Sequence, residues 1–384
     1  MTNKTKQLLH TPEGVFDHYG NDCREYEEVS SRVRSSLHRF GYQDIKTPTF
    51  EFFDVFSREI GTKPSRELYK FTDKEGNTLV LRPDFTPSVA RCAAKYFMDV
   101  DDPLRFCYEG SVFANTSSLQ GKRKESIQMG AECINDASAE IDAELIALLI
   151  DALRSCGLNQ IQVAVGNVQY FRGLCEAAGL DEETEMDLRA FISSKNYFAA
   201  EKLLKGHQVS VDFEKKFLKI ASPAGSKEDL KELEQDAPNE TSKQAIMRLM
   251  EVYQILTLYG VESFVSFDLS ILSKYRYYTG ILFRGYTYGV GEHIAAGGRY
   301  DSLLSQFGKQ SPAIGFMIEL DTLVEAMRAQ KIMPDEQKGP EVIYYSDQRD
   351  FKEKLPYVQA LRKEGHRVVF EKKTDCVEEK TDER

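Results

Sequence analysis

The sequence has no closely spaced pair of cysteines. Its seven cysteines, Cys23, Cys92, Cys107, Cys133, Cys156, Cys175 and Cys376, are odd in number and scattered along the chain. That spacing fits neither a disulfide framework nor a zinc site, and reads as reduced intracellular thiols, mostly small core residues. The six histidines (His10, His18, His38, His207, His293 and His366) show no ligand spacing, so no metal and no cofactor is expected. Long apolar runs are also missing. The strongest, residues 145–150, is closed by Glu144 and Asp151 and falls far short of the ~20 residues that span a bilayer. The opening MTNKTKQLLHTPEG has no apolar stretch of the kind a signal peptide needs. A cytoplasmic protein with no membrane partner is therefore expected. Basic charge is in short supply: 50 Lys and Arg stand against 61 Asp and Glu, a net charge of −11. Broad, non-specific nucleic-acid binding needs clustered cations and is disfavoured. No GxGxxG or GxxxxGK[ST] phosphate loop and no internal repeat occurs.

What is present is an ordinary globular composition, 41% apolar and 29% charged over 384 residues. That length suggests two or three domains at ~150 residues each. Residues 20–40 read as a helix stopped at Gly41, and YQDIKTPTFEFFDVF as strand around Pro48. ELYKFTDKEGNTLVLRPDFT reads as a hairpin turning at 74–77, followed by a helix from Pro87 to about Phe97. Strands are expected at 104–114 and 126–134, a helix from Ser138 to Cys156, and a strand in QIQVAVGNV. From 170 to 259 strand signals vanish and amphipathic helices take over. Strands return at 263–271, in YYTGILFRGYTYG and in EHIAAGG, and a helix is expected from Tyr300. After 338–340 comes a small β-α-β pattern and then a charged tail. Strands that follow one another without regular crossover helices indicate an α+β fold. The expected domains are a discontinuous core (1–168 and 262–332), a helical insertion (169–261) and a truncated α/β unit (339–384).

Several residues invite a functional reading. Gln128 and Glu132 lie four apart on one strand and face the same side. Tyr277 and Tyr278 alternate along an expected strand, so one should enter the core and one a pocket. Gly297 to Asp301, GGRYD, is either a capped turn or a pocket wall. Lys122, Arg123 and Lys124 read as a solvated loop.

The ordered motifs resemble class II aminoacyl-tRNA synthetases, specifically the catalytic core of the histidyl-tRNA synthetase family. GYQDIKTP resembles motif 1, the dimer-interface strand ending in Pro48, and RFCYEGSVFANTSSLQGKRKESIQMGAE resembles motif 2. YYTGILF and AAGGRYDSLL resemble the two histidine-specific segments, and SPAIGFMIELDTL resembles motif 3, the likeness running from about residue 11 to 327. The resemblance implies an antiparallel sheet core and a histidine pocket formed by Asp84, Thr86, Gln128, Glu132 and Tyr278. Asp84 stands where the family usually has Glu, one methylene longer, so a water is expected to bridge it to the ammonium. Tyr277, Gly297, Gly298 and Arg299 would form the pocket wall.

The same resemblance implies that synthetase chemistry is lost. The family's arginine positions hold Ala114, Ser273 and Thr322, and Glu319 replaces the motif 3 glycine. One such donor is worth roughly 3 to 4 kcal/mol, so three losses plus a repulsive carboxylate should abolish adenylation. The motif 2 loop has no ERP, and only 45 residues follow Gly339, fewer than the roughly one hundred of an anticodon-binding domain; no tRNA is expected. A histidine pocket without these parts resembles one group, the regulatory subunits of ATP phosphoribosyltransferase. The implied partner is the short-form catalytic subunit, in a hetero-oligomer expected to be a hetero-octamer. A homodimer through motif 1 and histidine as effector are implied as well. An active histidyl-tRNA synthetase and a stand-alone histidine sensor are the alternatives.

Overall fold

The computed structural model describes residues 9–57, 64–116, 123–220, 227–272, 277–334 and 339–373. Lys122, Ser273, Cys376 and the charged tail lie outside the described residues. Two compact units divide between Met333 and Pro334.

In chain order the first unit has strands β1 (Gln43–Asp44), β2 (Phe50–Phe52), β3 (Lys70–Thr72), β4 (Thr78–Leu81), β5 (Leu104–Phe113), β6 (Glu125–Ile134), β7 (Ile161–Asn167), β8 (Val265–Phe267), β9 (Ile281–Thr287), β10 (Ala295–Arg299) and β11 (Ala313–Glu319). Its helices are α1 (Asn21–Arg39), α2 (Asp54–Ser57), α3 (Thr86–Tyr96), α4 (Ala139–Ser155), α5 (Val168–Ala177), α6 (Glu182–Ser193), α7 (Tyr197–Gly206), α8 (Val211–Lys219), α9 (Lys227–Gln235), α10 (Glu240–Tyr259) and α11 (Leu320–Ala329). Eight strands form one sheet in the order β1-β5-β6-β11-β10-β9-β7-β8. Pairing is antiparallel except where β1 joins β5 and β8 joins β7. The α+β architecture is as expected, and β3 and β4 form the expected hairpin, with β2 completing a small sheet in the order β2-β4-β3.

A two-residue period decides what each face of the large sheet carries. Along β6, Met129, Ala131 and Cys133 enter the main core; along β11, Ile314, Phe316 and Ile318 do the same. That face is covered by apolar stripes of α1 (Val29, Val33, Leu37) and α4 (Ile146, Leu149, Ile150, Leu153). The Oγ of Ser138 caps α4 by accepting a hydrogen bond from Ile141 N. The intervening residues, Gln128, Gly130 and Glu132 on β6 and Gly315, Met317 and Glu319 on β11, face the other way. The helices between β7 and β8 extend the core, with Leu188, Leu204, Phe217, Leu230 and Leu249 buried in the same cluster. Among the described residues no helix is long and apolar enough to cross a membrane.

Two local expectations are corrected. No α-helix begins at Tyr300: its N–H still bonds to Ala313 O of β11 at 2.8 Å, so the chain leaves the sheet late. A short 3₁₀ turn, Leu304–Phe307, follows and stops at Gly308, whose φ of 89° suits a glycine. Nor do Tyr277 and Tyr278 alternate on a strand, because they precede β9. The second unit is the expected β-α-β: β12 (Glu341–Tyr345) and β13 (Val368–Lys372) pair in parallel around α12 (Gln348–Lys363).

Candidate functional site

The face of the sheet away from α1 and α4 carries a cavity of about 460 Å³. Its floor is set by glycines. A Cβ on Gly315 would overlap the Glu132 carboxylate, and one on Gly298 would press on Ile281 O, Leu282 and the Tyr278 ring. Glycine at these register positions lets the Glu132 carboxylate, Leu282 and the Tyr278 ring pack close against the central strands beneath the cavity. Asp84, Thr86, Gln128, Tyr277, Tyr278, Gly297 and Gly298 all line the cavity. Thus most of the residues expected in the pocket and its wall are brought together. Both tyrosines line it, with ring centroids 4.3 Å apart, where alternation would have placed only one.

Glu132 lies just behind this lining, 1% exposed. Thr86 Oγ1 donates to its Oε1 at 2.7 Å, Tyr300 Oη to its Oε2 at 2.5 Å, and Tyr108 Oη lies 3.3 Å from Oε1. Burial pushes the carboxyl up to about 8, against the three hydroxyl hydrogen bonds and with Asp84 adding repulsion. At neutral pH it therefore holds a proton and can both donate and accept. Tyr300, which also lines the cavity, was not singled out from the sequence. The signal available was its place directly after the glycines and Arg299 in GGRYD.

Gln128 is 6% exposed. Its Nε2 donates to Glu319 Oε1 at 2.7 Å, while its buried Oε1 accepts no hydrogen bond. The cavity therefore contains an open acceptor, and the negative charge of Glu319 is held on the wall by an amide. Of the positions that the resemblance matches to arginine, Ala114 is buried at the end of β5 and Thr322 sits half-buried on the first turn of α11. Ser273 lies outside the described residues.

Arg299 is a correction. It is not among the residues lining the cavity. On β10 it is in phase with Ala295, toward the helices, and it pairs with Asp142 of α4 through Nη2 at 2.5 Å and Nε at 2.9 Å. Arg123 is also better partnered than a solvated loop residue, lying 3.3 Å from Asp321 and 2.6 Å from Glu325. One grouping was hidden from linear spacing: His38, Asp44 and Cys107 bring potential ligand atoms within 4.8 Å of one another. They already satisfy each other, His38 Nε2 lying 3.1 Å from Asp44 Oδ2 and Cys107 Sγ 3.7 Å from Asp44 Oδ1. Burial and Asp44 push the Cys107 thiol up to about 12, so it stays protonated.

The profile of the histidyl-tRNA synthetase family matches residues 14–323 of the chain. The ATP phosphoribosyltransferase regulatory subunit of Ruminiclostridium cellulolyticum is 37% identical over 94% of this chain and 86% of its own length. That of Acetivibrio thermocellus is 37% identical over 93% and 85%. A crystal structure from Bacillus halodurans, described as an ATP phosphoribosyltransferase regulatory subunit/histidyl-tRNA synthetase, is similar with a TM-score of 0.87 at 31% identity, covering 97% of this chain and 94% of that one. Histidyl-tRNA synthetase from Nostoc sp. PCC 7120 shares the fold, with a TM-score of 0.79 at 20% identity over 94% of this chain and 85% of its own.

Proposed function

The chain belongs to the histidyl-tRNA synthetase family and, within it, to the ATP phosphoribosyltransferase regulatory subunits, and from that premise we propose that its cavity is a histidine-sensing site without synthetase activity. The observation that carries this reading is the union of a buried acid with an acid-lined, glycine-floored cavity. Glu132, shielded by Tyr300, Thr86 and Tyr108, offers a carboxyl to an imidazole nitrogen. Asp84 and the open Gln128 Oε1 supply acceptors for an α-ammonium, and Tyr278 closes the ring side.

Adenylation requires fixed cations around the α-phosphate. Ala114 and Thr322 supply none, and Glu319 adds an acid to the wall. The chain therefore recognises an amino acid without activating it. Its partner is the short-form ATP phosphoribosyltransferase catalytic subunit, in a hetero-octamer, with the chain dimerising through the segment around β1 and Pro48. The assembly works in the cytoplasm, binds no tRNA and performs the first step of histidine biosynthesis, with bound histidine shifting the transferase toward its inhibited state. Such coupling is typically worth about 1–3 kcal/mol.

Calorimetry with L-histidine, alone and after copurification with a short-form catalytic subunit, tests this directly. A stable mixed complex whose activity histidine lowers is the expected result. Histidine-dependent pyrophosphate exchange by the purified chain, or two separate gel-filtration peaks at micromolar concentration, would overturn it.

A further inference from the structure

The cavity is rich in acids and acceptors, yet an amino acid also brings a carboxylate. The described arginines nearest the pocket motifs are committed elsewhere. Arg82 is buried and donates to the backbone carbonyls of Thr47 and Ser111. Arg299 is neutralised by Asp142. Arg284 is different: it lines the cavity, is half-buried, and has no hydrogen bond or ion pair among the described residues.

We infer that Arg284 is the counter-ion for the α-carboxylate of the amino acid bound in this cavity, a role resting on the histidine-binding reading above.

Sheet register places it suitably. Glu132, Gly315, Gly298 and Leu282 form one row across β6, β11, β10 and β9. Met317, Ala296 and Arg284 form the adjacent row, continued by Ala164 on β7. Arg284 is thus a diagonal neighbour of Gly298, about 7–8 Å between backbones, a span its extended side chain covers. A ligand in the cavity that keeps its imidazole toward Glu132 turns its carboxylate toward β9 and Arg284. The alanines flanking Arg284 leave its guanidinium room to present two N–H groups to a carboxylate. Neighbouring His293 is held below its usual proton affinity by burial and by Arg284, so among the described residues Arg284 is the fixed positive charge on this part of the wall.

The test compares L-histidine with L-histidinol, which carries CH₂OH in place of the carboxylate, by calorimetry on the full chain. The wild type should prefer histidine. In Arg284→Met, histidine binding should weaken about tenfold to hundredfold while histidinol binding changes less than about twofold, so the preference collapses. Arg284→Lys should restore part of it, and Arg284→Gln should repeat the Met result with a side chain of similar length. Unchanged histidine affinity, or equal weakening of both ligands, would overturn the assignment alone. A wild type that binds neither ligand would overturn the histidine reading and this inference with it.

Discussion

Glu132 and Asp142 are both carboxylates almost wholly removed from water, at 1% and 0% exposure, but the chain treats them differently. Asp142 is surrounded by cations, with Arg299 at 2.5 Å and Arg248 at 2.8 Å. Through them it ties α4 to β10 and α10. Glu132 has hydroxyl partners in Thr86, Tyr300 and Tyr108, and the charge that most affects it is another acid, Asp84. A buried ion matched within the chain is scaffold. A buried acid kept half-discharged among hydroxyls, beneath an open cavity, retains binding capacity for something from outside.

The largest way to break this comparison is Asp142→Ala. Arg299 is 6% exposed, and without Asp142 it keeps only Asp301, at 3.1 Å, and backbone carbonyls as partners, so the buried guanidinium is left under-compensated, a loss toward the lower end of about 3–5 kcal/mol. Urea unfolding should show a much lower midpoint, and a loss below about 1 kcal/mol would mean that Asp142 is not the anchor.

Next comes the pH dependence of stability, which should separate the two acids. Glu132 is raised from 4.5 to about 8 in the folded chain, so between those values the folded state holds a proton that the unfolded state has released. Its contribution is fully favourable below about pH 4.5 and is lost as pH rises toward 8, on the order of 3 kcal/mol at pH 7. Glu132→Gln cannot ionise. Its stability relative to wild type should therefore improve steadily between pH 5 and pH 8, whatever constant offset the altered hydrogen bonds introduce. Parallel stability curves for the two proteins would remove Glu132 from the class of strained acids.

Smaller again is the effect of the same substitution on ligand. Glu132→Gln replaces a carboxyl that can pass its proton to an imidazole nitrogen with an amide that cannot ionise, and histidine affinity should fall roughly tenfold. Histidine inhibition of the transferase complex should weaken while assembly persists. Unchanged affinity would show that the protonated acid is the form that binds, and unchanged inhibition with weakened binding would place the sensing site on the catalytic subunit.

The contrast between the two acids was partly legible in the amino-acid order. Residues 128 and 132 share a face because strands repeat every two residues, and this put both at the site. The hairpin, the helices over 170–259 and the β-α-β unit were also readable, since each depends on local periodicity and turn residues. Arg299 was misplaced because its partner Asp142 lies 157 positions away in sequence, and GGRYD names the cavity strand without saying which face the arginine takes. Strand phase contained that answer: Arg299 matches Ala295 and opposes Gly298. Tyr300 was assigned to a helix start because its sheet hydrogen bond to Ala313 is a tertiary fact. Arg284 offered no local signal, since its meaning depends on which other arginines are already paired.

The smallest effect concerns the second cation on Asp142. The Arg248 side chain is 26% exposed, compared with 7% for Arg299, so water replaces much of what Arg248→Ala removes. Arg299 still pairs with Asp142 through two nitrogens. The expected loss is therefore about 1 kcal/mol or less, measurable as a small shift in the urea midpoint and reduced further by salt. Arg248 also donates to Ala137 O just before α4, and losing that bond adds a salt-independent part. If Arg248→Ala instead costs as much as Asp142→Ala, the two arginines and the aspartate act as one unit. A double-mutant cycle on Arg248 and Asp142 would then return a coupling energy close to the whole effect, and the scaffold acid would prove as dependent on its complete surroundings as Glu132 is on its hydroxyls.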